Sequence, residues 1–555
     1  MSKRLEIGVL LDSLLIPAWK FEILKEIKSS DFAHLAFLII KGVDTYNRRK
    51  KPVSGNPVFN FHKKIDKWIF TGKNSYSRKI NAHELLKDIP VIDVNTIKKE
   101  GFEEFNGEDL KKIRNQKPDI ILKFGFGPIN GEITKIPVYG VWSYSMDKNN
   151  TEKPAIIGYY EVIRENPVTV SELLVLGEND DQNRIIFRTW ESTCSYSINL
   201  NRDKLFWRAS SSLPGVIRGT RDYSHDFLMK LEEKYKKDNS KEVFPQLAVP
   251  SFLASIGSLA KHLVIILRKI FKKVVYSDPF SWILLFKISD ENDLLHTSFN
   301  AFRELQPSKD KFWADPFVII KNGRYFIFVE EFLYSKNKGH ISFLELNEKG
   351  ELLKCQKIIE KPYHMSYPFT FFSGGNYYMI PESGGNRTID LYKCVSFPGE
   401  WVFVKTIMNE INAVDSTLFY YSNKYWLFTV IDKIDSALDS SPELYLFVTD
   451  DLFTDKWTSH PFNPVVSDVR TARPAGKIFI HEGKIYRPSQ DCSGRYGNAF
   501  SLNQILTLNE AEYEEKQILR VEPDWDKKLK GAHTFNFDNN FKIIDAYSFR
   551  RRTFF

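Results

Sequence analysis

The sequence has few cysteines and no long uninterrupted apolar segment. Its 555 residues include only Cys194, Cys355, Cys394 and Cys492, whose spacing forms neither a CxxC pair nor a metal-ligand pattern. We expect free thiols in a reducing compartment instead of a disulfide framework. No uncharged apolar stretch of about 18 residues is present, so the sequence predicts no transmembrane helix.

The N-terminal residues and the net charge narrow the expectations further. The segment MSKRLEIGVLLDS has no apolar core followed by a small-residue cleavage site, so it predicts a first β-strand and not a signal peptide. The formal net charge of +8 is small for this length and favours an anionic substrate, a nucleotide or a membrane surface. We expect a cytoplasmic protein, peripheral on the inner membrane face if it meets a membrane, with no nucleic-acid partner.

Strand and helix patterns alternate in the first part of the chain, and the length requires more than one core. Residues 4–13 and 33–40 predict buried strands, and residues 18–30 between them have helical spacing. Another strand is expected at 119–125. This alternation predicts a doubly wound α/β domain over residues 1–235.

Ligands of such domains bind at the carboxyl ends of the strands. Asp12 ends the first predicted strand, and Gly125 and Gly127 follow a later one in the segment KFGFGP. Two glycines can let the backbone approach a ligand, but the same pattern also suits a simple turn. Both interpretations stay open for this segment.

The segments KPDIILKFGFGPINGEITKIPVYGVWSYSMD and IIGYYEVIRENPVTVSELLVLGENDDQNRIIFRT resemble the N-terminal domain of folate-dependent formyltransferases. The resemblance is detailed over roughly residues 115–190. It places Ser143 at the family's catalytic asparagine, Ser145 at its histidine and Asp181 at its aspartate. Because a serine does not titrate near neutrality, the resemblance implies this scaffold without formyl transfer. The domain would then bind a nucleotide or a sugar, or have a purely structural role.

A linker is predicted over residues 236–279, and its segment 251–277 contains no acidic residue. Helical spacing puts apolar residues on one face and basic residues mostly on the opposite face. These residues are Leu259, Leu263, Ile266, Ile270 and Val274, and Lys261, Arg268, Lys269 and Lys272. Two interpretations stay open: an interdomain helix packed on one domain, or a helix that attaches to an anionic membrane leaflet.

Helical periodicity disappears after about residue 280, and a two-strand unit recurs five times. Each unit is a strand, a tight polar turn and a second aromatic-rich strand, and the units begin at residues 313, 365, 413, 471 and 531. Five units at this period predict a five-bladed β-propeller over residues 280–555. The segment SWILLFKI, residues 281–288, would complete the last blade.

Polar residues recur at the start of each first strand. An aspartate before a proline can simply accept backbone hydrogen bonds, but a polar residue at one register in five units favours a shared pocket at the propeller axis. On the second strands Glu330 aligns with Glu382, and Asp491 and Asp545 follow at similar places. The five aligned first-strand residues are Asp315, Tyr367, Asp415, Arg473 and His533.

The motifs FWADPF, IPES, VDSTLF, RPAG, RPSQDCSGRYG and HTFN resemble those of two groups of proteins. One group is the five-bladed propellers of furanose-active glycoside hydrolases. The closer one is the N-terminal domain of plant glucosamine inositolphosphorylceramide transferases, over about residues 300–548. The resemblance implies Asp315, Glu382 and Asp415 as catalytic residues, and no metal ligand is assigned. It implies these substrate-binding residues: Glu330, Tyr367, Arg473, Gln490, Asp491, Tyr496 and His533.

Together these features predict a glycan-biosynthesis enzyme that transfers a sugar or a sugar-linked group in surface polysaccharide assembly. The α/β domain would hold a nucleotide-sugar donor, and the propeller would bind a carbohydrate or glycolipid. A glycosidase-like hydrolase that uses the propeller carboxylates is one alternative. A noncatalytic glycan-binding or assembly protein is the other.

Overall fold

The computed structural model forms two compact units with a boundary at Leu267. Each unit has its own sheets and its own hydrophobic core. The structure describes residues 3–42, 56–72, 75–146, 156–238, 248–289, 294–295, 297–432 and 442–551.

The first unit is built on a seven-stranded mixed sheet with helices. Its strand order is β11-β10-β9-β8-β1-β3-β5; the five strands from β9 to β5 are parallel, and β10 and β11 are antiparallel. Two short hairpins, β2-β4 and β6-β7, lie outside this sheet. The strands are β1 (Leu5–Leu11), β2 (Leu15–Pro17), β3 (Ala33–Lys41), β4 (Lys79–Asn81), β5 (Val91–Val94), β6 (Thr96–Lys99), β7 (Phe102–Phe105), β8 (Ile120–Lys123), β9 (Val141–Ser145), β10 (Val168–Val175) and β11 (Arg184–Ser192).

The helices of the chain include the one expected after β1 and the basic amphipathic one. Helix α6 has non-helical backbone at Ser224, so it consists of two helical segments. The helices are α1 (Ala18–Ser29), α2 (Pro57–Phe70), α3 (His83–Leu86), α4 (Gly107–Asn115), α5 (Tyr159–Arg164), α6 (Ile198–Asp238) and α7 (Phe252–Val275). Short 3-10 helices are Gly131–Lys135, Asp180–Gln182, Phe299–Ala301 and Gly384–Asn386.

The strands predicted at residues 4–13, 33–40 and 119–125 are confirmed as β1, β3 and β8. Their apolar runs are nearly continuous because strands inside a parallel sheet are covered on both faces. The prediction of an α/β unit is therefore correct at the level of a mixed sheet with helices. The more specific formyltransferase-like fold stays a prediction.

The second unit is a five-bladed β-propeller, as the five repeated segments predicted. Blade 1 contains β14–β17, blade 2 β18–β21, blade 3 β22–β25 and blade 4 β26–β30. The strands are β12 (Tyr276–Ile288), β13 (Arg303–Leu305), β14 (Lys311–Lys321), β15 (Arg324–Leu333), β16 (Lys338–Leu346), β17 (Leu352–Ile359), β18 (Ser366–Ser373), β19 (Asn376–Ser383), β20 (Thr388–Ser396), β21 (Glu400–Asn409), β22 (Ala413–Tyr421), β23 (Lys424–Ile431), β24 (Leu444–Thr449), β25 (Thr458–Ser459), β26 (Arg473–Pro474), β27 (Phe479–His481), β28 (Lys484–Asp491), β29 (Ala499–Asn509), β30 (Glu512–Val521), β31 (Leu529–Asp538) and β32 (Phe541–Arg551).

Blade 5 joins the two ends of this unit in one sheet. Its order is β13-β12-β32-β31, and β12 pairs antiparallel with β32 from Ser281 opposite Ser548 to Ile288 opposite Phe541. The predicted closure by residues 281–288 is thus confirmed, although β12 begins earlier, at Tyr276. Leu284 of β12 is fully buried and shares a core with residues of blade 1 and of β32.

This packing predicts a large stability effect at the closing strand. Leu284→Ala should lower the free energy of unfolding of the propeller by about 3 kcal/mol, because the lost side chain leaves a cavity. Leu352→Ala, at a residue 42% exposed on β17, should change it by less than about 1 kcal/mol. Denaturant unfolding of both variants measures the difference, and equal losses would contradict closure through β12.

Candidate functional site

In four of the five blades, a β-bulge at the same register turns one side chain toward the propeller axis. In three blades the residue in the bulge has a positive φ, which is 51° at Asp315, 43° at Tyr367 and 52° at Asp415. Residues other than glycine rarely adopt this backbone conformation. Bulges of this kind change the direction of side chains beside active sites. The pairing shifts lie between Ala314 and Phe317, Ser366 and Phe369, Val414 and Thr417, and Ala532 and Phe535.

A histidine between two aspartates forms one side of the site. His533 Nδ1 lies 2.6 Å from Asp545 Oδ1, and its Nε2 lies 3.4 Å from Asp315 Oδ1. The backbone N–H of Asp315 donates to Asp545 Oδ2 at 2.8 Å. All three residues are buried. The carboxylates of blades 1 and 5 are therefore joined by one imidazole.

An arginine–aspartate pair forms the opposite side. The Arg473 Nε–H donates to Asp415 Oδ2, and the side-chain amide of Gln490 donates to the same oxygen at 3.0 Å. Burial, and then the charge of Asp415, raises the pKa of the nearby Glu382 carboxyl. Asp415 is thus held by two partners from blade 4.

Tyr367 connects the two sides. Its backbone N–H donates to Asp315 Oδ2 at 3.2 Å, while its hydroxyl lies 2.8 Å from Thr417 Oγ1 and accepts from the N–H of Gly476 at 2.8 Å. One residue of blade 2 therefore contacts blades 1, 3 and 4. We conclude that the five aligned residues meet at the axis.

Aromatic rings cover part of this polar cluster. Trp282 stacks on His533 with ring centroids 3.9 Å apart, and the Tyr496 ring lies 5.4 Å from His533. The Arg473 guanidinium lies 4.9 Å from the centroid of Tyr496. Sequence analysis missed Trp282, although the predicted closing strand that carries it was the available signal.

Burial and charge repulsion raise the pKa values of three acids in this cluster. Burial raises the pKa of Glu382 to about 8, with a further contribution from Asp415. Burial likewise raises the pKa of Asp315 to about 7, although His533 opposes it. The pKa of Glu330 is raised well above its ordinary value by burial and then by Asp315 and Glu382. Glu382 is therefore protonated at neutral pH, and burial favours the protonated form of Glu330.

His533 behaves in the opposite sense. Burial by itself lowers the pKa of His533, but Asp545, Asp315 and Asp415 together outweigh it, so the net pKa is raised. A charged imidazolium beside Asp315 favours the ionised form of that carboxyl. The site can thus hold a proton on Glu382 while Asp315 titrates near neutrality, which is the arrangement that general acid–base chemistry needs.

Asp491 does not join this cluster, which corrects the sequence-based placement. Its Oδ2 accepts from Arg520 Nε at 2.6 Å, and its Oδ1 accepts from the N–H of Ser493 at 2.8 Å. Neighbouring residues of a strand point to opposite faces of the sheet, so Gln490 and Asp491 lie on opposite faces of blade 4. The residue that contacts Asp415 in blade 4 is Gln490.

Asp315, His533 and Asp545 also offer ligand atoms within 4.8 Å of one another, a spacing that could hold a metal ion. These residues contact one another directly, since Asp545 already binds the His533 imidazole and three backbone N–H groups. These contacts account for Asp545 and for one nitrogen of His533.

In the first unit, two carboxylates accept hydrogen bonds from backbone N–H groups of the glycine-containing turn. The N–H of Phe126 donates to Asp12 Oδ1 at 2.8 Å, and the N–H of Gly127 donates to Glu103 Oε1 at 2.9 Å. A Cβ at Gly125 would lie 2.4 Å from the backbone N of Asp12. The glycine is thus explained by the close approach of two chain segments, which favours the turn interpretation.

The structure separates the three residues placed by the formyltransferase resemblance. Ser143 and Ser145 lie on β9, whose carboxyl end lies at the same end of the sheet as the carboxyl ends of β1 and β8. Strand β10 runs antiparallel to β9, with Val175 opposite Trp142. Asp181, which follows β10, is exposed and lies at the opposite end of the sheet, near the amino ends of the parallel strands. The expectation that Asp181 joins Ser143 and Ser145 is therefore wrong.

A β-propeller with a buried cluster of acids, one arginine and one histidine at its axis is the class that this geometry defines. Residues 300–551 match the family described as glucosamine inositolphosphorylceramide transferase 1, N-terminal. The relative of that name from Oryza sativa subsp. japonica is 32% identical over 229 residues, which is 40% of this chain and 30% of the relative. The one from Arabidopsis thaliana is 30% identical over 210 residues, covering 37% and 27%. The chain thus spans less than a third of these relatives.

Solved glycoside hydrolases show a weak overall similarity. The family 117 glycoside hydrolase Zg3597 from Zobellia galactanivorans is 12% identical, with a TM-score of 0.32, covering 49% of this chain and 92% of that one. The GH62 α-L-arabinofuranosidase domain from Coprinopsis cinerea is 10% identical, also with a TM-score of 0.32, covering 49% and 98%. Similarity at this level says nothing about activity.

The raised pKa of Glu382 predicts a pH-dependent stability. Between its ordinary value of 4.5 and about 8 the folded state keeps a proton that the unfolded state has released. The stability from this group is full below about pH 4.5 and is lost as the pH rises to about 8. Glu382→Gln removes the titration, so we expect its free energy of unfolding to exceed that of the wild type by about 1–4 kcal/mol near pH 8.

The difference between the two proteins should shrink near pH 5, where Glu382 is protonated in the folded wild type. Chemical unfolding at both pH values measures it. Glu348→Gln, at an exposed turn residue, is the control and should show no such pH dependence. A gap that is the same at both pH values would contradict the protonated Glu382.

Proposed function

We propose that the protein is a transferase of glycan biosynthesis that moves a sugar or a sugar-linked group at the axial site of the propeller. The observation that carries this proposal is that an ion-paired Asp415, and Asp315 beside His533, lie near Glu382, whose pKa is raised by burial. The plant relatives, named as glucosamine inositolphosphorylceramide transferases, support a carbohydrate or glycolipid substrate. Surface polysaccharide assembly is the process in which we place it.

Each acid has a role that follows from its partners. Glu382 donates a proton to the departing group, because it is the carboxyl whose pKa is raised to about 8. Asp315 accepts the proton of the incoming hydroxyl, and His533 keeps it available in ionised form. Asp415 orients Arg473, whose fork of donors can bind a phosphate or carboxylate of the substrate.

The first unit would supply the donor. A nucleotide-linked sugar fits the carboxyl edge of its parallel strands, where Lys123, Ser143 and Ser145 lie, because such edges bind ligands in α/β sheets. We retain the formyltransferase-like scaffold as part of this proposal. Its catalytic asparagine and histidine positions hold serines, so formyl transfer is not the expected reaction.

The absence of formyl transfer can be tested directly. Purified protein incubated with a formyl-folate donor and amino-sugar nucleotides should show no turnover above buffer, since Ser143 and Ser145 cannot replace an amide and an imidazole. Absorbance of the released folate measures the reaction. Turnover that disappears in a Ser143→Ala variant would contradict this prediction.

A glycosidase-like hydrolase is the second candidate. Glycoside hydrolysis also needs one protonated and one ionised carboxyl, and the pairing of Glu382 with Asp415 and Asp315 offers both. The two functions differ in their need for a donor. A transferase requires a nucleotide-sugar, whereas a hydrolase releases free sugar from furanosides without one.

Both candidates predict that the axial carboxyls are required. Asp315→Asn and Glu382→Gln should each lower kcat by about 100-fold or more, because positioned acids and bases contribute about that much. Sugar transfer from nucleotide-sugars to glycolipid acceptors, and sugar release from furanosides, are the two measurements. Glu348→Gln is the control that keeps wild-type rates.

Unchanged rates in both axial variants would exclude this site from the chemistry. If the wild type neither transfers nor releases sugar, but its melting temperature rises with oligosaccharide alone, the protein is a glycan-binding or assembly module. A rise with nucleotide-sugar supports the transferase.

A transferase that acts on a glycolipid needs access to a bilayer. We propose a cytoplasmic protein that contacts the inner membrane face through α7. None of the helices in the described residues combines the length and apolar character needed to span a bilayer. A helix lying in the interface, with basic residues beside an apolar face, fits this proposal.

A further inference from the structure

Helices α2 and α7 of the first unit lie side by side and run in the same direction. The side-chain amide of Asn56, the N-cap of α2, donates to Ser255 Oγ at 2.9 Å and to the carbonyl of Pro250 at 2.7 Å. Two turns further along, His62 Nε2 lies 2.7 Å from His262 Nδ1. Because the later residue of α2 contacts the later residue of α7, the two helices are neighbours that run parallel.

One side of this pair faces the domain. On α2, Phe59 is buried against Tyr159, and Asp66 accepts from the N–H of Asn199 at 2.7 Å at the start of α6. On α7, Ile265 is buried. These contacts fix which faces of the two helices point inward.

The opposite side of the pair is apolar and exposed. Phe61 and Trp68, seven residues apart and thus on one face of α2, are 54% and 84% exposed. On α7, Leu263 and Leu267 are 52% and 63% exposed. Of the predicted apolar face of α7, Leu259 and Ile266 are half-buried, so only part of it packs inward. We call Phe61, Trp68, Ile69, Leu253, Leu263 and Leu267 the outer face.

Basic side chains flank the outer face, and the described residues of α2 and α7 present no exposed acid there. Lys64 and Lys67 of α2 are exposed, as is Lys261 of α7, whose Nζ lies 3.9 Å from Glu165 Oε1. The one acid of α2 is the buried Asp66, and residues 251–277 contain none. An apolar face of this size with a positive border is complementary to an anionic lipid surface.

We propose that α2 and residues 252–267 of α7 form one surface that lies in the interface of an anionic bilayer. The aromatic ring of Trp68 would lie at the level of the lipid headgroups, where tryptophan is favoured. The lysines would contact the anionic phosphates. The inference rests on the proposed membrane contact of α7 and extends it to a second helix that sequence analysis did not single out.

The test uses the full chain and vesicle flotation. The protein should float with vesicles made of phosphatidylglycerol and phosphatidylcholine in equal parts, and less with phosphatidylcholine alone. High salt should weaken the binding, because the lysine contribution is electrostatic. A Phe61→Ser/Trp68→Ser double variant should lower the partition coefficient by about 10-fold or more, since two large apolar side chains leave the interface.

A matched control lies in the propeller. Phe372, 62% exposed on β18, is as accessible as Phe61, so Phe372→Ser should leave flotation unchanged. A second readout is the tryptophan emission that the wild type has and a Trp68→Phe variant lacks. That difference should shift to shorter wavelength when anionic vesicles are added.

Three results would overturn the proposal: no flotation of the wild type at low salt, equal flotation of the double variant and the wild type, or a Trp68 emission that vesicles do not shift. If light scattering instead shows that the double variant dissociates an oligomer that ignores vesicles, the outer face is a self-association surface. Flotation needs no turnover. Loss of sugar transfer would therefore leave this inference intact, and failed flotation would leave the axial chemistry intact.

Discussion

The burial of several carboxyl groups around one axis is the constraint on which the propeller site depends. Asp315, Asp415 and Asp545 are buried and Glu382 is half-buried beside them, so the full ionisation of all four would be strongly unfavourable. Two effects offset this repulsion between carboxylates. Arg473 and His533 supply positive charge, and the raised pKa values keep protons on other acids. The chemical asymmetry of the site follows directly from that balance.

The backbone makes this concentration of charge possible. A bulge at one register in four blades aims a polar side chain inward, at the cost of positive φ angles at Asp315, Tyr367 and Asp415. Blade 5 closes the ring by pairing β12 with β32, and the same strand carries Trp282 onto His533. Closure therefore holds the fold together and also completes one wall of the site.

The first unit uses its carboxylates differently. Asp12 and Glu103 accept backbone N–H groups of the turn at 125–127, and Asp66 accepts those at the start of α6. These carboxylates replace the partners that the ends of strands and helices lack. The unusual feature of this unit is instead outside, where α2 and α7 leave large apolar side chains uncovered.

The sequence by itself determined the blade count, the closing strand and the residues at the heads of the first strands, because a repeat at one register survives in the order of residues. It also predicted the strands β1, β3 and β8 from their apolar runs. Only the tertiary structure decided which of two neighbouring residues, Gln490 or Asp491, contacts Asp415. The sequence could not, because successive side chains of a strand point to opposite faces of the sheet. The tertiary structure alone placed Asp181 at the end of the sheet opposite to Ser143 and Ser145, because the direction of β10 follows from its antiparallel pairing with β9. It alone brought α2 beside α7, because contacts between helices distant in sequence leave no local pattern.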